Sequence, residues 1–125
     1  MKGLSKKERR LHPRLAHNLP LKVAANGYDF ATTTQNISCL GAYCSINKYV
    51  PPFTRVMIKL DLPVADANGG RNYQLDCKGV IVRSQDDPGG GFNIAIFFNA
   101  IKDSQRKKIS QYINRFLPKE SSLRA

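Results

Sequence analysis

Six short strand-like stretches, most of them with alternating apolar and polar residues, narrow the choice of fold for this chain more than any other feature. The clearest stretch has Val56, Ile58, Leu60 and Leu62 at every second position, the period of a strand with one buried face. Turn-forming residues separate the stretches, among them Asn26-Gly27, which favours a tight hairpin. Short strands at this spacing predict a β-barrel or a β-sandwich.

The bounds of the strands follow from this pattern and from the turn residues between the stretches. We expect strands over residues 19–25, 28–35, 56–62, 73–83 and 91–98, and one more that ends near Ile46. Residues 63–72 contain proline, asparagine and glycine and are predicted to form a loop. Beyond the last strand the period changes, because apolar residues recur at helical spacing at Ile109, Tyr112, Ile113, Phe116 and Leu117.

This second pattern predicts a C-terminal helix. Asp103 or Ser104 is expected to cap its start, and Pro118 is expected to stop it. The other side of the helix is predicted to be a cationic face, which is either solvated or open to a partner or an anionic surface. The residues of this face are Arg106, Lys107, Lys108 and Arg115.

A formal net charge of +11 is typical of nucleic-acid binding proteins, but the excess charge lies at the two ends of the chain. Residues 23–101 contain six Lys or Arg and six Asp, so this middle segment of the chain carries no net charge. A barrel that tracks a nucleic acid needs basic and aromatic residues interleaved on its strands. A general RNA or DNA binder with a basic OB-like barrel is therefore the alternative interpretation, supported mainly by net charge.

Length, hydropathy and cysteine content exclude several classes. The 125 residues suffice for one domain but not for a sensor with a separate catalytic domain. No apolar run approaches the roughly 20 residues that cross a bilayer, and no signal sequence is visible, so we expect a cytoplasmic protein without membrane insertion. Cys39, Cys44 and Cys77 include no CxxC pair and are predicted to be reduced, packed thiols.

No pattern in the chain predicts catalysis. Ser38 lacks the GxSxG context of a nucleophilic serine, and His12 and His17 do not have zinc-site spacing to the distant cysteines. The glycines at 89–91 are not followed by Lys-Ser or Lys-Thr, so they predict a hairpin and not a phosphate loop. We expect no enzymatic activity, no metal and no cofactor.

An arginine cluster, Arg9, Arg10 and Arg14, lies in the basic N-terminal segment. A guanidinium binds phosphate with two hydrogen bonds, pairs with guanine O6 and N7, and stacks on bases. Pro13 disfavours a helix here and predicts a loop that presents the arginines in several directions. Taken alone, such a cluster is also typical of a solvated basic tail.

A second polar motif, Asn36-Ile37-Ser38-Cys39-Leu40-Gly41, lies at the junction of two predicted strands. Asn36 supplies an acceptor and donors, and Ser38 supplies a hydroxyl. Gly41 lacks a side chain where another group must come close. Asn and Ser beside a Gly are also ordinary turn residues, so this motif alone identifies no site.

Together, in this order and at this separation, the two motifs resemble the signature of the PilZ domain family, RxxxR followed by [D/N]xSxxG. The matching residues are Arg10, Arg14, Asn36, Ser38 and Gly41. The resemblance continues through the strand at 78–83, the Gly91-Phe92 start of the last strand, and the closing helix, so it covers roughly residues 9–117.

The resemblance implies an all-β fold, a six-stranded antiparallel barrel with a C-terminal helix, and a bacterial receptor for the second messenger cyclic di-GMP. It divides the chain into a basic arm at residues 1–18 that carries RxxxR, the barrel with its helix at 19–118, and a tail at 119–125. Ligand binding would order the arm and create a surface for an unidentified downstream protein.

The resemblance also implies a role for each motif residue. Arg10 and Arg14 would contact phosphates and guanine. Asn36 and Ser38 would hydrogen-bond a guanine, and Gly41 would let that guanine approach.

Two positions depart from or extend the signature. Asn36 stands where many relatives have Asp, which removes a negative charge that could orient the arginines. Arg9 lengthens the arginine run and could help to hold a second copy of the ligand. A third interpretation of the chain is a protein adaptor that has kept the motif and works through the cationic face of its helix.

Overall fold

The alternating stretches fold into strands whose apolar residues share one interior. A computed structural model describes residues 13–25, 27–66 and 69–117. The strands are β1 (Pro20–Ala25), β2 (Tyr28–Ile37), β3 (Gly41–Ile46), β4 (Arg55–Asp66), β5 (Gly69–Asp86) and β6 (Phe92–Ala100). They pair antiparallel in the order β1-β2-β3-β6-β5-β4, and β4 pairs with β1 to close the barrel. The predicted six-stranded antiparallel barrel is confirmed, and the sandwich is excluded.

Inward-facing side chains fill the barrel. Leu21, Val23, Ile58 and Leu60 are at most 1% exposed, while the residues between them face solvent. Burying a side chain of this kind contributes about 1.5–3 kcal/mol to the free energy of unfolding. The apolar interior therefore holds in place the strands whose outer faces carry the polar motifs.

A long β4–β5 hairpin replaces the loop predicted at residues 63–72. β4 continues to Asp66 and β5 begins at Gly69, with Pro63 paired opposite Asn72. β4 pairs with β1 only over Met57–Leu60, so no strand lies along the β1-facing edge of β4 at Pro63. Proline is tolerated there because that edge needs no N–H donor. The loop prediction is wrong because pairing along the hairpin overrides the local preference of proline and glycine.

A β-bulge interrupts β2 where it pairs with β3. Thr34 is opposite Cys44 and Asn36 is opposite Tyr43, so Gln35 is the extra residue. Thr34 is fully buried, whereas Gln35 is exposed and Asn36 is half-buried. Two successive polar side chains therefore lie on the outer face of the barrel.

The helix α1 (Asp103–Phe116) follows β6 and covers part of the core. Ile109, Tyr112 and Ile113 are buried in the same apolar cluster as the barrel residues. Phe116 is 48% exposed at the end of the stripe. The predicted C-terminal helix is confirmed, and its apolar stripe is buried at Ile109, Tyr112 and Ile113, while Leu117 follows the helix end.

The observed start of α1 differs from the predicted start. The residue before the first turn is Lys102, whose amide donates to Oε1 of Gln105 at 3.4 Å. The predicted cap at Asp103 or Ser104 is therefore wrong. The side chain of Gln105 instead accepts from the backbone amide that precedes the first turn. Pro118 lies outside the described residues.

The basic residues of α1 do not form one cationic face. Arg106 donates to the carbonyl of Cys39 at 3.3 Å, and Arg115 donates to the carbonyl of Pro63 at 3.1 Å. At roughly 100° per residue, these two arginines lie on opposite sides of the helix. The predicted face is wrong because their side chains bond different parts of the barrel.

All three cysteines are buried thiols, as predicted. Burial raises the pKa of the Cys44 thiol to about 12 and that of Cys77 to about 11, where Asp76 raises it further and Arg106 lowers it. The Cys44 and Cys77 thiols therefore stay protonated and unreactive at neutral pH. Cys39 lies in the bend between β2 and β3 and not in a strand. In the described part of the chain, no helix is long and apolar enough to cross a membrane.

Candidate functional site

The segment before β1 is attached to β2 as a short antiparallel pair. The amide of Leu15 donates to the carbonyl of Ile37 at 2.8 Å, and the amide of Ile37 donates back at 2.9 Å. Both side chains are buried in the core. This pairing places Arg14, one residue earlier, beside the outer polar residues of β2.

Thr34 holds the same segment from within the barrel wall. Its buried hydroxyl donates to the carbonyl of His17 at 2.5 Å and accepts from the amide of Leu19 at 2.9 Å. The side chain of Asn18 donates to the carbonyl of Thr34 at 2.7 Å. Residues 15–19, which we call the base of the arm, are thus bonded to β2, although the sequence predicts an arm up to residue 18.

A hydrogen bond joins the two sequence motifs. Nη1 of Arg14 donates to Oδ1 of Asn36 at 2.9 Å across 22 residues of sequence. Arg14 is exposed, so its other N–H groups can be offered to an anion. Asn36 orients the guanidinium and leaves its positive charge in place. An aspartate at this position would neutralise that charge.

Ser38 lies in the bend between β2 and β3 and is 3% exposed. Its Oγ accepts from the amide of Leu40 at 3.1 Å, and its amide donates to the carbonyl of Gly41 at 2.9 Å. A hydroxyl that accepts a hydrogen bond still has a proton to donate. Ser38 therefore shapes the bend and can also donate to a group that approaches it.

Gly41 has a close neighbour inside the barrel wall. A Cβ at this position would lie 2.1 Å from the carbonyl oxygen of Ile96 in β6 and 3.4 Å from Cα of Phe97. Only glycine lets β3 come this close to β6. The sequence predicts a close approach at Gly41, and β6 is the group found there. The approach of a ligand to Gly41 stays a prediction.

The bend is also held from β6 and α1. The amide of Phe98 donates to the carbonyl of Leu40 at 2.8 Å, and Arg106 donates to the carbonyl of Cys39 at 3.3 Å. Arg106 thus positions the motif through the backbone. Nothing in the sequence indicated this role, because its partner is 67 residues away.

His17 connects the base of the arm to α1. Its Nδ1 is 2.7 Å from the hydroxyl of Tyr112, and its ring lies edge-on to Phe116 at 4.6 Å between centroids. Burial raises the pKa of Tyr112, and the nearby charge of Arg115 opposes that shift. His17 is therefore packed at the base of the arm, against α1.

A cluster of three polar side chains, which we call the outer network, lies beside Asn36. Nε2 of Gln35 donates to Oγ of Ser45 at 2.6 Å, and Oγ of Ser45 donates to Oδ1 of Asn93 at 2.7 Å. The sequence did not reveal it, because residues 32–36 are all polar and their alternation cannot show a bulge. The outward positions of Ser45 and Asn93 could be read from their apolar neighbours.

The described part of the site combines one oriented guanidinium with amide and hydroxyl groups. Such groups suit a ligand that carries both phosphate and base edges. Arg9 and Arg10 lie outside the described residues, so their position relative to Arg14 stays a prediction. Within the described ranges, no cluster of His, Cys, Asp or Glu could hold a metal ion.

A family model, that of the PilZ domain, matches residues 8–115. The match extends from the arginine cluster to the last turn of α1. No curated protein matches the chain.

Several solved structures share the fold. The inhibitor of motility MotI/DgrA from Bacillus subtilis has a TM-score of 0.74 and 18% identity, over 86% of this chain and 50% of that one. The PilZ domain of CeSA from a cellulose synthesizing bacterium has a TM-score of 0.56 and 18% identity, over 82% and 96%. The PilZ domain with c-di-GMP of YcgR from Escherichia coli has a TM-score of 0.54 and 13% identity, over 93% and 95%. The chain spans half the length of MotI/DgrA, and at these identities the likeness concerns the fold.

Proposed function

The chain belongs to the PilZ domain family, and from that membership we propose that it is a non-enzymatic receptor for cyclic di-GMP in the bacterial cytoplasm. The hydrogen bond between Arg14 and Asn36 supports this most directly, because it unites the two motifs in one site. The YcgR domain with c-di-GMP supports the choice of ligand. Buried thiols at Cys39, Cys44 and Cys77 suit a reducing compartment.

Charge attracts the ligand, and hydrogen bonds then orient it. Arg14 meets a phosphate, or the O6 and N7 edge of guanine, with two N–H donors. Asn36 keeps its amide N–H groups for guanine, because its Oδ1 accepts from Arg14. Ser38 adds a hydroxyl proton. Arg9 and Arg10 reach the phosphates from the arm. The negative charge of the phosphates then relieves the repulsion among the guanidiniums.

The arm closes over the ligand around a fixed base. Leu15 and Leu19 are bonded to β2, so closure moves the residues that precede Leu15. Binding orders those residues and forms a new surface for a downstream protein. The contact of His17 with Tyr112 joins the base of the arm to α1, so the helix lies next to that surface.

Calorimetric titration of the purified chain with cyclic di-GMP tests the proposal, with GTP and a short RNA as controls. A receptor binds cyclic di-GMP more tightly than either control and shows a shallow salt dependence, because the ligand has only two phosphates. Binding of RNA alone, with an affinity that falls steeply between roughly 50 and 200 mM salt, would instead support a general RNA or DNA binder.

Cyclic di-GMP is expected to bind at least about tenfold more tightly than cyclic di-AMP. Adenine presents an amino donor where guanine has O6, so it would meet the guanidinium of Arg14 donor to donor. The two ligands share the same ring of riboses and phosphates, so calorimetry with both isolates the contribution of the base. Equal affinities would contradict the contact between arginine and guanine.

Amide hydrogen exchange over residues 5–14 is expected to slow at least about fivefold when cyclic di-GMP is added. The amide of Leu15 is an internal control, because it already donates to the carbonyl of Ile37 and should change little. Unchanged exchange throughout residues 5–14 at a saturating ligand concentration would argue against arm closure, even if binding itself is observed.

A further inference from the structure

The outer network has the chemistry of a base-binding site, with two amides and a hydroxyl held together on one face. We propose that Gln35, Ser45 and Asn93 form a second purine subsite, which binds the guanine of cyclic di-GMP that Asn36 does not. This subsite presupposes the proposed receptor function. Cyclic di-GMP carries two identical guanines, and the Asn36–Gly41 bend provides polar groups for one of them.

The register of the strands puts the outer network next to Asn36. Asn36 is opposite Tyr43, and Ser45 lies two residues further along β3, a distance of roughly 7 Å. Ser45 is in turn opposite Asn93 on β6. The bulge supplies the third member, because Gln35 is the extra residue that shares the outer face with Asn36. A ligand anchored at Asn36 therefore has the outer network within reach.

The hydrogen bonds of the outer network set the direction of its amides. Nε2 of Gln35 is used on Ser45, and Oδ1 of Asn93 accepts the Ser45 proton. Oε1 of Gln35 is then an acceptor for a ligand, and Nδ2 of Asn93 is a donor. Guanine carries the complementary pair, O6 as acceptor beside N1–H as donor, whereas adenine has the reverse pair. The first guanine at Asn36 and the ring of riboses and phosphates fix the direction from which the second base enters. In that orientation O6 meets the donor and N1–H meets the acceptor, whereas adenine would meet donor with donor, and this favours guanine.

An open groove beside Ser45 provides space for a ring. Its volume is about 480 Å³, and it is also lined by Ala31, Asn47 and Gly91. This is within the range of roughly 300–1,000 Å³ that small-molecule sites occupy. Ser45 is the residue of the outer network that lines this groove, so a base held by Gln35 and Asn93 would extend into it at Ser45.

The mixed dinucleotide 3′,3′-cyclic GMP–AMP distinguishes the two subsites. Its guanine can occupy the site at Asn36, and its adenine then falls on the outer network. The unmodified chain is expected to bind it about tenfold more weakly than cyclic di-GMP in calorimetry. Asn93→Ala and Ser45→Ala should each weaken cyclic di-GMP about fivefold and bring the two ligands to within about twofold of each other.

Gln35→Ala should act like these two variants, and Gln74→Ala is its matched control. Gln74 is exposed on β5, where its amide donates to Asp61 at 3.4 Å, outside both subsites. Gln74→Ala should leave both affinities and their ratio unchanged. Because all these side chains lie on the outer surface, melting temperatures should stay within a few degrees, on the order of 2–4 °C.

Each outcome bears on one level of the proposal. If the unmodified chain binds both dinucleotides equally, or if Asn93→Ala and Ser45→Ala keep the tenfold ratio, the second subsite is wrong and the receptor function stands. If cyclic di-GMP does not bind at all, the receptor function fails and the second subsite fails with it. Retained discrimination against cyclic di-AMP in both variants would locate that preference at Asn36 and support two separate subsites.

Discussion

Arg14→Ala is expected to weaken cyclic di-GMP binding by roughly 30- to 1000-fold, or about 2–4 kcal/mol. Arg14 is the guanidinium that Asn36 orients through a hydrogen bond of 2.9 Å. Its removal leaves a phosphate or guanine edge desolvated without a donor, and leaves Oδ1 of Asn36 without this bond. Calorimetry of the two proteins under one salt condition measures the effect, and their melting temperatures should agree closely because Arg14 is exposed.

Arg55→Ala is the matched control, because Arg55 is an exposed arginine on β4, away from the bend between β2 and β3. It should change the affinity by no more than about twofold.

Ser38→Ala removes a neutral hydrogen bond and should cost about 1–2 kcal/mol of binding free energy. Arg9→Ala should cost about 1 kcal/mol or less. Equal losses for Arg9→Ala and Arg14→Ala would mean that the arginines act as a diffuse basic tail.

Gly41→Ala is expected to lower the free energy of unfolding by about 2–4 kcal/mol and the melting temperature by roughly 10–20 °C. The new methyl group would lie 2.1 Å from the carbonyl oxygen of Ile96. That oxygen belongs to the backbone of β6, so relief requires β3 and β6 to separate. Thermal unfolding followed by circular dichroism measures the change.

Gly70→Ala is the control for the loss of glycine itself. A Cβ at Gly70 would have no atom within 4 Å, so this variant should change stability by no more than about 0.5 kcal/mol. A Gly41→Ala protein that melts like the unmodified chain but binds ligand weakly would show that Gly41 acts at the ligand and not between the strands.

The fold could be predicted wherever a strand has one apolar face and one polar face. In β1, Leu21 and Val23 alternate with polar or small residues, and the structure buries both. The prediction failed at residues 63–72. The local preferences of these residues favour a loop, but they do not show that β5 continues to pair with β4 over this range. It failed at the helix cap for a similar reason, since Gln105 makes that bond from inside the helix.

The site could be predicted only in part. The two motifs identify Arg14 and Asn36, and the structure joins them directly. Arg106 was hidden because its contact with the bend depends on tertiary packing of α1. Gln35 was hidden because a run of polar residues has no apolar position from which a change of face could be inferred.

Gln35 is surplus to the barrel itself. If it were deleted, Thr34, Asn36 and Ile37 would still alternate between the inside and the outside of the wall, because the register shift lies between Thr34 and Asn36. Mutation can therefore alter or remove this residue while every core contact persists. Relatives of this chain could thus diverge in what they bind on this face without a loss of stability, which makes the bulge a point where specificity can evolve freely.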